Sequence, residues 1–468
     1  MDTTGNHTNL EKFFNPSSVV VIGASNAAFN LGATICKTLK QDIAFSGDVF
    51  AVNRGGEDVH GAPGFKSVGD IGRPVDLAVI LAPAAVVPGF VRDCGENGIR
   101  NIVIESSGFS EQGTDGRRLQ AEIADAARRH SMRIIGPNCL GILDNRNRFS
   151  CLYGANQLVQ KTVQKPGTVS YVIQSGGVGG LVVERLMEDL PGVNKMVCIG
   201  NKSDVDESDF IDYFTSDSTE VIGLYLENVQ RGAKLMAAAR RCPKPILVYK
   251  SGVSEAGSAA ALSHTAGMAN NDAVFEGACR QAGLIRLRSP EELHALPKMF
   301  IDMPLLAGKH IAVFTNSGAF GSIGADLLAE TPLVMARFTS RTRESLSRLP
   351  GVFNADNPVD IGPALPEVYL QIYDILLSDP GVDGLLHVVG MWRDYVADVM
   401  SELVELCRRH RKPAALFCFN GMKRVQAARA EKNLPLFSTL EEAVRALVVS
   451  HQQFHYLQKK EKKRGPAH

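Results

Sequence analysis

The sequence carries no excess charge of either sign: 50 lysines and arginines stand against 50 aspartates and glutamates in 468 residues. That removes the global field that would draw the chain to nucleic acid or to an anionic membrane. None of the nine scattered cysteines forms a C-x-x-C pair, which excludes a zinc ribbon, offers no disulfide framework and fits a reducing cytosol. No metal site is visible. The N-terminus lacks the apolar core of a signal peptide. Long hydrophobic runs are missing too. The longest uncharged one, Leu77 to Val91, is too short to cross a bilayer and holds Pro83 and Pro88, so it reads as a buried strand entering a loop and helix. A cytoplasmic protein with no nucleic-acid or membrane partner is expected.

What is present is an α/β composition: 45% hydrophobic residues and 44 glycines in a chain too long for one core. Short β-branched runs alternate with helical segments, the pattern of parallel sheets covered on both faces. The first block has strands at Ser18–Ile22, Val49–Val52, Leu77–Leu81, Ile102–Ile104 and Arg133–Ile135, with a helix over Gly113–His130. A polar connector is expected from Leu143 to Gly167. The second block has strands near Val169–Ile173, Met196–Ile199, Val221–Leu226 and Ile246–Tyr249, then helices at Asp272–Ala282 and Pro290–Phe300. The third has His310–Thr315, Gly384–Val389 and Ala414–Phe419, and closes with a helix over Leu440–Gln458. The divisions fall at 1–145, 146–304 and 305–458, with a basic tail over 459–468. "VSYVIQSGGVGG" at Val169–Gly180 echoes "IAVFTNSGAFGS" at Ile311–Ser322, so the second and third blocks read as two versions of one open fold.

In the first block the opening strand leads into Gly23-Ala24-Ser25-Asn26, and Leu31-Gly32 opens a helix. Glycine there admits close approach of a diphosphate. The G-x-G-x-x-G spacing and the acidic residue of a dinucleotide site are both absent. The second strand ends instead in Asn53-Arg54. An arginine there suits an additional ribose phosphate, carried by both CoA and NADP.

The second block holds a candidate nucleophile. His264 sits in "KSGVSEAGSAAALSHTAGMANND", a stretch of small residues that leaves an imidazole room to meet a bulky group. A nucleophilic histidine needs a partner to orient its ring. Glu227, ending the apolar run VIGLYLE, lies at the strand edge where parallel sheets bind ligands. The Ser175-Gly176-Gly177 turn opens a helix that would balance the charge of a phosphorylated ring.

Taken together, "VVVIGAS", "VDLAVILAPAAVVP", "SSGFSEQG", "RIIGPNCLGI", "VIQSGGVGG", "IGNKSDVDESDF", "YLE", "KSGVSEAGSAAALSHTAGMA", "RQAGLIRLRSPEEL" and "NPVDIG" follow one another in a resemblance covering nearly the whole chain. The chain resembles the NDP-forming acyl-CoA synthetase superfamily. The resemblance implies a Rossmann-like CoA-binding domain followed by two flavodoxin-like ligase domains. It implies phosphorylation of His264, with Glu227 as its hydrogen-bond partner and Ser175, Gly176 and Gly177 binding the phosphate. It places CoA over Gly23, Ala24, Ser25 and Asn26, over Asn53 and Arg54, Ala82 and Pro83, and over Ser106, Ser107 and Gly108. The implied reaction interconverts acyl-CoA, ADP and phosphate with a small carboxylic acid, CoA and ATP.

The chain departs from the family at Ala266 and Asn270, where glycine is common, at Arg54, where proline is frequent, and in the altered turn Ser317–Gly321. The largest departure is an absence. Three α/β blocks leave no room for the ATP-grasp module, so the resemblance implies a separate ATP-grasp subunit that brings ATP/ADP and magnesium. The alternative is a CoA-binding regulatory protein of the same fold without ligase activity.

Overall fold

The computed structural model describes residues 10–153, 159, 167–189, 192–257, 271–301, 303–362, 365–390, 396–420 and 434–464. The chain divides into two compact units, one of residues 1–187 and 192–287, the other mainly of residues 288–468.

The first unit contains two sheets. One is built of β1 (Ser18–Ile22), β2 (Asp48–Val52), β3 (Gly64–Phe65), β4 (Leu77–Ile80), β5 (Asn101–Ile104) and β6 (Arg133–Ile135). All its pairs are parallel, in the order β3-β2-β1-β4-β5-β6. That is the doubly wound order of nucleotide-binding sheets, whose direction of winding reverses between β1 and β4. β1, β4 and β5 are apolar and buried at every position apart from Ser18 and Asn101, which are buried polar residues. The helix Thr114–Arg129 covers this sheet with Ile123, Ala126 and Ala127; Asp115 in its first turn and Arg128 and Arg129 in its last suit the helix dipole.

The second sheet comprises β7 (Ile142–Asp144), β8 (Phe149–Ser150), β9 (Val169–Ile173), β10 (Val193–Cys198), β11 (Val221–Leu226), β12 (Ile246–Lys250) and β13 (Leu284–Arg286), ordered β13-β12-β11-β9-β10-β7-β8. Its five parallel strands have the 2-1-3-4-5 order of a flavodoxin-like fold. β7 and β8 are a correction to the polar connector expected from Leu143: they form an antiparallel hairpin on the edge at β10. The expected division between residues 145 and 146 falls inside that hairpin.

The second unit holds β14 (His310–Thr315), β15 (Val334–Met335), β16 (Val352–Asn354), β17 (Val359–Ile361), β18 (Gly384–Val389), β19 (Ala414–Cys418) and β20 (Leu436–Phe437). The path β16-β17-β14-β18-β19-β20 again contains 2-1-3-4-5, with β16 antiparallel at one edge. Its core packs Phe314, Ile372, Tyr373, Leu376 and Leu403. The closing helix runs Leu440–Arg464, so it takes in part of the expected basic tail. No described helix is long and apolar enough to cross a membrane.

Candidate active site

β9, β10 and β11 run parallel, so the loops that follow them gather at one edge of the second sheet. There they enclose a cavity of about 250 Å³ lined by Ser175, Gly176, Gly177 and Glu227 together with Gln174, Asn138, Cys139, Tyr153, Gly200, Asn201 and Asn228. The phosphate-binding turn and the carboxylate expected from the sequence therefore face one space. His264, Ala266 and Asn270 lie outside the described residues.

The turn stands at a helix start. The helix Gly176–Asp189 makes its first backbone bond from the Gly179 N–H to the Ser175 carbonyl at 2.9 Å, so the preceding amides have no carbonyl within the helix. A Cβ placed on Gly177 would meet nothing within 4 Å, so open space lies over that backbone. Opposite it, the amide N–H groups of Glu227 and Asn228 both donate to Gln174 Oε1, at 2.9 and 3.2 Å. Gln174 thus ties the β9 turn to the β11 turn and sets where the Glu227 carboxylate emerges.

Gln174, Asn201 and Tyr153 were not singled out in the sequence. Only for Gln174 was there a signal, its place between an apolar strand and S-G-G. Cys139 is buried, and burial raises its thiol well above the ordinary range, which disfavours the thiolate.

The first sheet gathers its own candidates. Gly23–Asn26 follows β1 and Ala82-Pro83 follows β4, on either side of the switch in winding, where open α/β sheets form a crevice. Gly23 has φ +94°, and a Cβ there would lie 2.0 Å from the Leu81 carbonyl oxygen. Glycine is required at that position by the chain itself, whatever binds. Asn30 shapes the loop: its Oδ1 accepts from the Ala33 and Ser25 amides at 2.8 and 3.2 Å, and its Nδ2 donates to the Gly23 carbonyl at 3.0 Å. Ser106 Oγ accepts from the Ala82 amide at 2.9 Å, joining two of the expected CoA segments.

The Asn53 side chain is turned to its own loop, accepting from the Glu57 amide at 3.0 Å and donating to the Glu57 carbonyl at 2.8 Å. Its neighbour Arg54 is exposed and makes no ion pair among the described residues.

Fold and edge loops together define an α/β protein with a doubly wound first sheet and a cavity at the loop edge of a flavodoxin-like second one. Two domain families match in that order: the CoA binding domain over residues 17–145 and the Succinyl-CoA ligase like flavodoxin domain over 166–300. The alpha subunit of ADP-forming acetate–CoA ligase II from Pyrococcus furiosus is 34% identical over 457 residues, 95% of this chain and 98% of that one. The longer ADP-forming acetate–CoA ligase II of Archaeoglobus fulgidus is 33% identical over 94% of this chain, which spans 66% of its length. A solved structure of the dinucleotide forming acetyl-coenzyme A synthetase 1 of Ca. Korarchaeum cryptofilum, in complex with phosphate and ADP, matches with a TM-score of 0.87 at 28% identity, covering 98% of this chain and 99% of that one. The chain belongs to the NDP-forming acyl-CoA synthetase superfamily.

Proposed function

We propose that the chain is the alpha-type subunit of a cytoplasmic ADP-forming acyl-CoA synthetase, a CoA-binding acid–thiol ligase active with a separate ATP-grasp subunit. Its divisions are a CoA-binding domain over 1–145 and ligase domains over 146–304 and 305–458. The observation that carries the reading is the convergence of the Ser175-Gly176-Gly177 turn and Glu227 on one cavity in a chain of this family.

In the acyl-CoA to acid direction, phosphate attacks the thioester carbonyl, forming an acyl phosphate and releasing the CoA thiol. A neutral nitrogen of His264 then attacks phosphorus, the P–O bond to the carboxylate breaks, and the free acid leaves. ADP on the partner takes the phosphoryl group from the ring, giving ATP and restoring the imidazole. Glu227 holds the other ring nitrogen as a hydrogen-bond acceptor, keeping the attacking one unprotonated and supporting the cation that forms. The amides of the Ser175-Gly176-Gly177 turn balance the phosphoryl oxygens.

CoA lies over Gly23–Asn26, Arg54, Ala82-Pro83 and Ser106–Gly108. Asn53 acts there through the shape of its turn, since its amide is already engaged. Magnesium is taken to arrive with the nucleotide on the partner chain.

The test is co-expression with an ATP-grasp chain, then γ-labelled ATP and magnesium. Acid-labile, base-stable label on this chain, absent from His264→Asn and discharged by CoA plus a carboxylic acid, is the expected result. A chain that binds CoA but takes no label would instead be a CoA-binding regulator.

A further inference from the structure

Thiol transfer demands that the CoA loop of the first sheet and the cavity wall of the second be held at a fixed separation. Glu111 joins them directly, at an Asn201 amide that also reaches Ser110 Oγ at 3.2 Å and Gln120 Oε1 at 3.0 Å. Glu111 lies on the short helical turn Ser110–Gln112 after β5. Its Oε1 accepts from the Gly108 amide at 2.6 Å and the Phe109 amide at 3.0 Å, in the loop expected to receive CoA. Its Oε2 accepts from Asn201 Nδ2 at 2.6 Å, and Asn201 lines the same cavity as Glu227.

The return path closes a circuit. Asn201 donates its backbone N–H to the Pro137 carbonyl at 2.9 Å, and Asn138 donates its own to the Ser106 carbonyl at 2.9 Å. Asn138 Nδ2 also donates to Asn201 Oδ1 at 3.4 Å. The ring Ser106, Asn138, Asn201, Glu111, Gly108 begins and ends in the same loop. Burial raises the Glu111 carboxyl, but donation by Asn201, Phe109 and Gly108 outweighs it and holds the group below the usual glutamate range. Glu111 therefore accepts at neutral pH on both sides.

We propose that Glu111 is a positioning residue that couples the Ser106–Gly108 loop to the Asn201 wall of the cavity, and so sets the approach of the CoA thiol to the acyl phosphate. The inference rests on the proposed function for the identity of both ligands. The geometry of the circuit does not.

Glu111→Gln tests the link selectively. Glutamine Oε1 still accepts from Gly108 and Phe109, but its Nε2 now faces the Asn201 Nδ2, donor against donor. Asn201→Asp places two carboxylates together, whereas E111Q with N201D restores one hydrogen bond with reversed polarity. With the partner chain present, E111Q is expected to lower kcat about 100-fold while KM for CoA moves less than about threefold, since a displacement on the order of 1 Å is enough for such a loss. The double variant should return to within about tenfold of wild type, a coupling that independent sites would not show.

An unchanged kcat in folded E111Q, or a double variant no better than N201D alone, would overturn the coupling. Amide hydrogen exchange separates this from failure of the enzymatic reading. N201D should speed exchange at Gly108 and Phe109 by about tenfold or more whether or not the wild type turns over, and unchanged exchange there sinks the coupling by itself. Absence of phosphoryl label on the wild type sinks only the functional assignment.

Discussion

Glu105 follows β5, one residue before the CoA loop, and its carboxyl is buried with no nitrogen or oxygen partner on either oxygen among the described residues. Burial raises it well above the ordinary glutamate range, and the Cys151 thiol beside it offsets that only in part. The folded state therefore holds a proton that the unfolded chain releases above about pH 4.3. In that window the native state binds more protons than the unfolded one, so this group's contribution is complete below the unfolded value and is lost as pH rises through the raised one. Glu105→Gln carries no such proton. The melting temperature of E105Q relative to wild type should rise as pH increases above 5, read by thermal scans in matched buffers. A difference that stays flat would mean that the carboxyl is ionised in the fold.

At the scale of elements, the segment joining β10 to the helix Glu207–Ser216 shows how the cavity wall is braced. Lys202, at φ 54°, is wholly buried; its Nζ donates to Glu207 Oε2 at 3.1 Å and to the Asn228 carbonyl at 2.7 Å. Asp206 and Asp209 cap the same helix reciprocally. Lys202→Met would strand the Glu207 carboxyl, which burial already raises, and should cost about 3 kcal/mol. Adding Glu207→Gln should recover more than half of that. Denaturant midpoints of the three proteins measure it, and equal midpoints for wild type and K202M would show that the brace contributes nothing.

The strands that carry the site were legible in the sequence because each is a continuous apolar run; Val169–Ile173 and Val221–Leu226 stand as expected. Ser175 and Glu227 were legible as the residues just beyond such runs. The β7 and β8 hairpin was not, being three and two residues of mixed character. Asn201 and Glu111, and the tether made by Gln174, were hidden for another reason. Their uses are bonds to residues 53 and 90 positions away, and local pattern carries no trace of such pairings.

On the scale of the whole molecule, two sheets from different parts of the chain solve one problem in the same way. Gln174 at the end of β9 accepts from the backbone after β11, and Asn316 at the end of β14 accepts from the Gly390 amide after β18 at 2.8 Å. The echo between Val169–Gly180 and Ile311–Ser322 is thus a repeated tether of neighbouring strand ends. The first sheet differs in kind, with the doubly wound order, a winding switch between β1 and β4, and an exposed Arg54 after β2. A ligand that binds only the folded chain stabilises it by about 2.7 kcal/mol at a hundred times its Kd, which for a chain of this size raises the melting temperature by several degrees. CoA should produce that shift. 3′-Dephospho-CoA should produce a smaller one, because it lacks the phosphate assigned to Arg54, and Arg54→Ala should erase the difference between the two. NADP also carries a ribose phosphate but no pantetheine, and it should leave the melting temperature unchanged. If NADP shifts the protein as far as CoA does, the crevice is a dinucleotide site and the CoA assignment of the first domain falls. If CoA and its dephospho form are indistinguishable on the wild type, CoA keeps the crevice and Arg54 loses its role.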